Sequence, residues 1–314
     1  MDLSVVIPTY NEEENLQVLY SKLKTVLENL KKSYEIIFID DGSTDRSFEI
    51  LKELHEKDKT VRVIKFRKNF GQTAAISAGF ENSKGKVIVT MDSDLQNDPN
   101  DIPRLLSKLD EGYDVVSGWR KNRKDPWLKK KIPSKISNFL ARKLTSLEIH
   151  DFGCTLKAYR KEALKGIELY GEMHRFIPAI VAWRGFKVSE VQVEHHERKF
   201  GKTKYGLWRI MKGFLDLLVV VFWRKYSTRP IHLFGSLGIV LSFFGFLIGV
   251  YLTLMKIFYN QSLSNRPLLL LSILLIILGA QFIIFGLLAD IMIRIYYNKG
   301  KPTYDIDSIL ERSV

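Results

Sequence analysis

The sequence predicts an α/β domain, a mainly parallel sheet with helices on both faces, followed by an interfacial helix and a two-helix transmembrane hairpin. Three observations carry that expectation. Short runs rich in Val and Ile alternate with helix-length stretches over residues 1–200, and a strand–helix–strand rhythm builds parallel sheets covered on both faces. The runs are continuously apolar, as strands buried on both sides are. Residues 233–255 and 267–289 are two stretches of 23 residues without a charged side chain. At 1.5 Å per residue each makes a helix of roughly 34 Å, enough for a ~30 Å hydrocarbon core.

Strands are expected at LSVVI (3–7), EIIFID (35–40), VRVIKF (61–66), VIVTM (87–91) and DVVSG (114–118), and helices at 12–30, 45–56 and 70–82. In sheets of this kind ligands bind beyond the carboxyl ends of the strands. Those ends carry Pro8-Thr9-Tyr10-Asn11-Glu12, then Asp40-Asp41-Gly42-Ser43-Thr44-Asp45, then Asp92-Ser93-Asp94-Leu95-Gln96, then Trp119-Arg120. One acidic residue at such a place commonly caps the next helix, as Asp45 or Ser43 can. Three acidic clusters on one edge repel one another unless a cation or hydrogen-bond donors sit among them.

The second half reads as membrane-associated. Residues 205–226 (YGLWRIMKGFLDLLVVVFWRKY) mix apolar and aromatic residues with Arg209, Lys212, Arg224 and Lys225. That pattern suits a helix in the membrane interface, with Trp208 and Trp223 at headgroup level. The 11-residue link 256–266 makes the two spans a hairpin with both ends on one side. Arg224, Lys225 and Arg229 precede it and Arg294, Lys299 and Lys301 follow, against Lys256 and Arg266 in the link, so both ends are expected in the cytoplasm. No apolar segment opens the chain, so no signal peptide is expected. The expected divisions are a cytoplasmic domain at 1–204, the interfacial region at 205–230, the hairpin at 231–293 and a cytoplasmic tail at 294–314. Gly245 and Gly249 form a GxxxG that permits close helix contact, within the hairpin or in a homo-oligomer.

Charge and composition narrow the chemistry. With 48 Lys and Arg against 35 Asp and Glu, the net charge of +13 calls for an anionic partner. The single cysteine, Cys154, excludes an internal disulfide framework. Asp92-x-Asp94 places two carboxylates on one side of an extended segment. Hard oxygen ligands, with Gln96 nearby, suit Mg²⁺ or Mn²⁺, which keeps waters and binds substrate phosphates. No GxxxxGK[ST] loop is present, which argues against a P-loop nucleotide hydrolase. His195-His196 lacks further ligands at zinc spacing and reads as a polar strand end. Two basic segments remain, KNRKDPWLKKK (121–131) and ERKFGKTKY (197–205). The second precedes the interfacial helix and suits anionic lipid or a lipid phosphate. Nucleic acid is the weakest partner for them, since they match no nucleic-acid motif.

VVIPTYNEEENL, IDDGSTD, MDSDLQNDP and RKFGKTKYG, in that order, resemble the family 2, GT-A fold glycosyltransferases. More narrowly they resemble the polyprenyl-phosphate group, which includes dolichyl-phosphate mannose synthases and undecaprenyl-phosphate glucosyltransferases. The resemblance covers about residues 1–210, and the hairpin matches members with two membrane helices. It implies inverting transfer of one sugar from a nucleotide-sugar of the GDP-mannose or UDP-glucose class to a polyprenyl phosphate. By position, Pro8, Tyr10, Glu12, Ile39 and Asp41 would line the nucleotide pocket. Asp92 and Ser93 would touch nucleotide or sugar, and Asp94 and Gln96 would ligate Mg²⁺ or Mn²⁺. Arg120 would sit near the phosphates and sugar, and Asp151 near the acceptor. Arg198 and Lys204 would hold the acceptor phosphate. Lys130 and Ser134 fall where members place an Arg and a Ser for the same phosphate, and Lys lacks the bidentate fork of Arg. A prokaryotic member would sit in the plasma membrane. A processive polysaccharide synthase would carry more membrane helices and a QxxRW motif, which Ala182-Trp183-Arg184-Gly185 does not match. A noncatalytic nucleotide-sugar-binding scaffold is the remaining alternative.

Overall fold

The structure, a computed structural model, describes residues 1–121, 138–139, 141–143, 145–197, 222, 226, 229–259, 262 and 267–297. The chain divides into two compact units, Met1–Val221 and Phe222–Val314.

The first unit holds one seven-stranded sheet. Its strands are β1 (Leu3–Thr9), β2 (Tyr34–Asp40), β3 (Val61–Lys65), β4 (Val87–Thr90), β5 (Val115–Trp119), β6 (Lys157–Arg160) and β7 (Val188–Gln192), in the spatial order β3-β2-β1-β4-β6-β5-β7. β1 pairs in parallel with β2 and β4, β2 with β3, and β5 with β7. β6 alone is reversed, antiparallel to both β4 and β5. The five expected strands are present within about two residues of their predicted ends. The reversed β6 and the outer β7 were not foreseen.

The longer helices among the described residues of this unit are α1 (Leu16–Asn29), α2 (Ser47–Lys57), α3 (Gln72–Asn82), α4 (Ile102–Asp110) and α5 (Ile177–Trp183). Successive strand side chains go to opposite layers. Val5, Ile7, Ile36 and Phe38 pack with Leu19, Leu23, Leu51 and Leu105 in one layer, while Val6, Ile37 and Ile39 pack with Ala75, Ile76, Ile177 and Val181 in the other. Both layers need apolar partners, which is why the strands read as unbroken apolar runs.

The second unit is a hairpin of α6 (Ile231–Tyr259) and α7 (Pro267–Tyr297). Glycines set its close approach. A Cβ on Gly238 would fall 2.5 Å from the Gly279 carbonyl oxygen, and one on Gly245 would fall 2.8 Å from that of Ser272. The Ser272 hydroxyl donates to the Gly245 carbonyl at 2.7 Å. Gly245 is therefore occupied inside the hairpin. Only 17% and 11% of the most apolar stretches of the two helices are buried, so neither is a core helix covered by protein. The length and apolarity of both suit membrane anchoring. Most of the predicted interfacial segment 205–226 lies outside the described residues.

Candidate active site

All strands but β6 point their carboxyl ends to one edge, and β6 brings its amino end there. The loops at that edge interlock. After β1, Asn11 takes a left-handed conformation (φ 54°), which Asn tolerates better than most residues. Its backbone N–H donates to Ser43 Oγ at 3.0 Å, and its Oδ1 accepts from Thr44 N at 2.8 Å. Glu12 N donates to Ser47 Oγ at 2.9 Å, and the buried Glu12 carboxylate accepts from Asn15 Nδ2 at 2.5 Å. The turn explains why α1 begins at Leu16 and not at residue 12. Gly42 needs its φ of 71°, and a Cβ there would meet the Lys68 carbonyl carbon at 2.5 Å.

Asp41 is held by backbone donors at the start of α3. Phe70 N donates to Oδ1 at 2.7 Å and Gly71 N to Oδ2 at 2.9 Å. Burial raises its pKa, with the Asp40 charge adding to the effect and the two N–H groups opposing it. Pro8 and Tyr10 are half-buried on the neighbouring loop, and the Pro8 carbonyl accepts from Ser93 Oγ at 3.1 Å. The Ile39 side chain is wholly buried in the core layer that contains α3. Any contact of Ile39 with a ligand falls to its backbone.

The acidic segment after β4 alternates in burial. Ser93, Leu95, Asn97 and Pro99 are buried, while Asp92, Asp94, Gln96 and Asp98 are partly accessible. Leu95 is left-handed (φ 61°), a conformation that costs energy in a β-carbon-bearing residue and marks a constrained turn. Asp94 Oδ1 accepts from Gln96 N at 3.2 Å. Asp92 is clamped through both oxygens. Gln72 Nε2 donates to Oδ1 and Thr155 Oγ1 to Oδ2, each at 2.7 Å. Burial first, and the Asp94 charge second, raise the Asp92 pKa well above its ordinary value.

The donor set fits a hard divalent cation. Among the described residues no three His, Cys, Asp or Glu side chains gather as a protein-only metal cage. Mg²⁺ and Mn²⁺ do not require one, since one or two protein oxygens plus waters and substrate phosphates complete their shell. Asp94 and Gln96, partly accessible on the loop after β4, offer oxygens of that kind.

Arg120 and Asp151 meet as a bidentate pair, Nε to Oδ2 at 2.7 Å and Nη2 to Oδ1 at 3.0 Å, with side chains only 12% and 4% exposed. Two backbone donors add to these, Gly153 N to Oδ1 at 3.1 Å and Arg120 N to Oδ2 at 3.4 Å. Lys157, buried at the start of β6, donates to the Phe152 carbonyl at 3.2 Å, and burial pulls its pKa down to about 8. Burial pushes the Cys154 thiol up to about 11, so it is an inert thiol. The segment after β7 lies along the acidic loop. Asn97 and His195 form an antiparallel bridge, His196 N donates to the Gln96 carbonyl at 3.0 Å, and the His196 ring meets Asp98 Oδ2 at 3.0 Å.

The structure thus brings Pro8, Tyr10, Glu12, Asp41, Asp92, Ser93, Asp94, Gln96, Arg120 and Asp151 to one edge. Lys130, Ser134, Arg198 and Lys204 lie outside the described residues. Gln72 and Thr155 were not anticipated. They stand 20 and 63 residues from Asp92, and nothing local in the sequence links them to it.

The family model described as glycosyl transferase family 2 matches residues 4–167. The dodecaprenyl-phosphate galacturonate synthase of Rhizobium johnstonii is 40% identical over 316 residues, covering 99% of this chain and 94% of that protein. Among solved structures, the fold is similar to Mycobacterium tuberculosis glucosyl-3-phosphoglycerate synthase, in complex with Mn²⁺, UDP and phosphoglyceric acid. That match has a TM-score of 0.54 at 18% identity, over 71% of this chain and 78% of that one. It is also similar to the mannosyltransferase PcManGT of Pyrobaculum calidifontis, in complex with GDP-Man and Mn²⁺, with a TM-score of 0.50 at 18% identity, over 70% and 66% of the chains.

Proposed function

The chain belongs to glycosyl transferase family 2, and from that membership we propose that it moves a single sugar from a nucleotide-sugar to a membrane polyprenyl phosphate, with inversion at the sugar C1. The supporting observation is near-full-length identity to a polyprenyl-phosphate synthase, which extends through the apolar hairpin. Galacturonate, the sugar in that relative's name, is the first donor sugar to test. The UDP-glucose and GDP-mannose classes expected from the motifs follow it.

The chemistry suits the residues. A phosphate monoester has its second pKa near ~6 and is mostly dianionic at neutral pH. One of its oxygens attacks C1 as the bond from C1 to the nucleoside diphosphate breaks, so no strong base is required. The difficulty is bringing two polyanions together. A divalent cation, when bound, neutralises charge on the leaving diphosphate. Asp94 and Gln96 would hold that cation, and Asp92, fixed by Gln72 and Thr155, would present a set carboxylate toward the donor. Asp41, Tyr10 and Glu12 line the nucleotide. Arg120 meets the phosphates, and Asp151 orients its guanidinium and is not a free base, because both carboxylate oxygens are engaged. Arg198 and Lys204, with Lys130 and Ser134, take the acceptor phosphate. The domain 1–204 is placed in the cytoplasm, where nucleotide-sugars are made, with the hairpin 231–293 in the bilayer and the tail 294–314 on the cytoplasmic side.

The test is transfer in liposomes from labelled UDP-galacturonate, UDP-glucose and GDP-mannose to a polyprenyl phosphate, with Mn²⁺ or Mg²⁺, following label into the organic phase. The expected result is metal-dependent transfer from one donor, reduced by roughly 10²–10³-fold or more in Asp94→Ala. Full activity of Asp94→Ala would remove the assigned metal site. Folded protein that transfers from no donor would return weight to a scaffold role.

A further inference from the structure

We propose that α7 pairs two copies of this chain within the membrane through Gln281. The proposal rests on the reading that the hairpin spans a bilayer. Gln281 sits near the middle of the apolar span Pro267–Ile293, so in a membrane its amide lies at the level of the hydrocarbon. It is exposed on the surface of the hairpin. Gly279, two residues before it, faces α6, and two residues are about 200° of helical turn. Gln281 therefore points away from the contact that holds the hairpin together.

Three hydroxyls of the hairpin are settled within it. Ser236 donates to the His232 carbonyl at 2.6 Å, Thr253 to that of Gly249 at 2.9 Å and Ser272 to that of Gly245 at 2.7 Å. Each is a hydroxyl that can return to a backbone carbonyl. Gln281 makes no hydrogen bond of this kind to any described residue, and its amide carries two donors and one acceptor oxygen. A polar group left without a partner in hydrocarbon is costly, and interhelical hydrogen bonds are the usual remedy.

A second copy is the occupant this side chain fits. An amide is self-complementary: across a two-fold axis each carboxamide donates to the other and accepts from it. A symmetric dimer needs the same patch on both subunits, and one central amide meets that condition. Around Gln281, the exposed Leu274, Ile277, Phe285 and Leu288 supply apolar packing on either side of the pair.

The experiment uses the full chain labelled with a fluorophore in phosphatidylcholine vesicles, with association read by energy transfer across a range of protein-to-lipid ratios. Wild type, Gln281→Leu and Gln281→Asn are compared, and carbonate washing checks insertion. The expected result is a wild-type dimer, association at least roughly tenfold weaker in Gln281→Leu, and partial retention in Gln281→Asn. Wild type that stays monomeric at every density overturns the proposal, as does Gln281→Leu that associates like wild type. Protein stripped from the vesicles by carbonate overturns the membrane reading itself, and the pairing with it.

Discussion

Asp151 spends both carboxylate oxygens on Arg120, so replacing either residue strands the other. Asp151→Asn should lower stability by about 3–5 kcal/mol, the range for breaking a buried pair on one side, measurable as a fall in thermal midpoint. Arg120→Lys keeps the charge but loses the fork and should slow transfer by about tenfold. If Asp151 were the base, Asp151→Asn would also abolish the acid limb of the pH–rate profile; the limb should remain. Asp92 gives a second test. Its raised pKa means that the native state holds its proton more tightly than the unfolded chain does. The stability from this proton is complete below the ordinary carboxylate value and is lost as pH rises through the folded value. A bound cation favours the charged form and competes with the proton. Mn²⁺ should therefore raise the thermal midpoint more at about pH 7.5 than at about pH 5, and equal shifts would refute the coupling. Gln72→Leu removes one of the two donors on Asp92 and should raise the donor KM by about tenfold. The acidic clusters and Arg120 were legible in the sequence because they sit directly after apolar runs, whereas Asp151 came only from the family resemblance. Gln72 and Thr155 were not, because only folding brings α3 and the segment just before β6 against Asp92.

At the scale of elements, the parallel strands announced themselves as apolar runs, and β6 and β7 did not. β6 reads Lys-Ala-Tyr-Arg and buries a lysine, and β7 reads Val-Ser-Glu-Val-Gln with every residue at least partly exposed. Polar strands of four and five residues carry no periodic signal strong enough to separate them from loop. The helix α1 began late for a different reason: the turn at 11–15 is fixed by contacts with residues 43–47, far away in sequence. Gly42→Ala should cost about 1–3 kcal/mol, since it adds a Cβ at a left-handed position against the Lys68 backbone. A thermal midpoint unchanged from wild type would show that the loop relaxes instead. The GxxxG at Gly245 was visible in sequence, but whether it joined helices of one chain or two was not, and the structure spends Gly245 within the hairpin.

For the whole molecule, the two-part organisation was the most legible feature, since length and charge alone separate a polar α/β unit from an apolar hairpin. The assigned orientation predicts that Ser262, in the link between α6 and α7, faces away from the cytoplasm. Ser262→Cys should react with a membrane-impermeant maleimide in intact cells, against low background from the buried Cys154. Labelling only after the cells are opened would invert the topology.

The reversed β6 has a consequence for the order in which the molecule becomes competent. A ribosome releases the parallel strands β1 to β4 and the acidic segment well before it releases Thr155. The 63 residues between Asp92 and Thr155 take about 3–13 s to make at ~5–20 residues per second. During that interval a nascent chain carries its carboxylates without the strand that disciplines them. Synthesis itself thus delays the finished donor site until β6 has threaded back between β4 and β5.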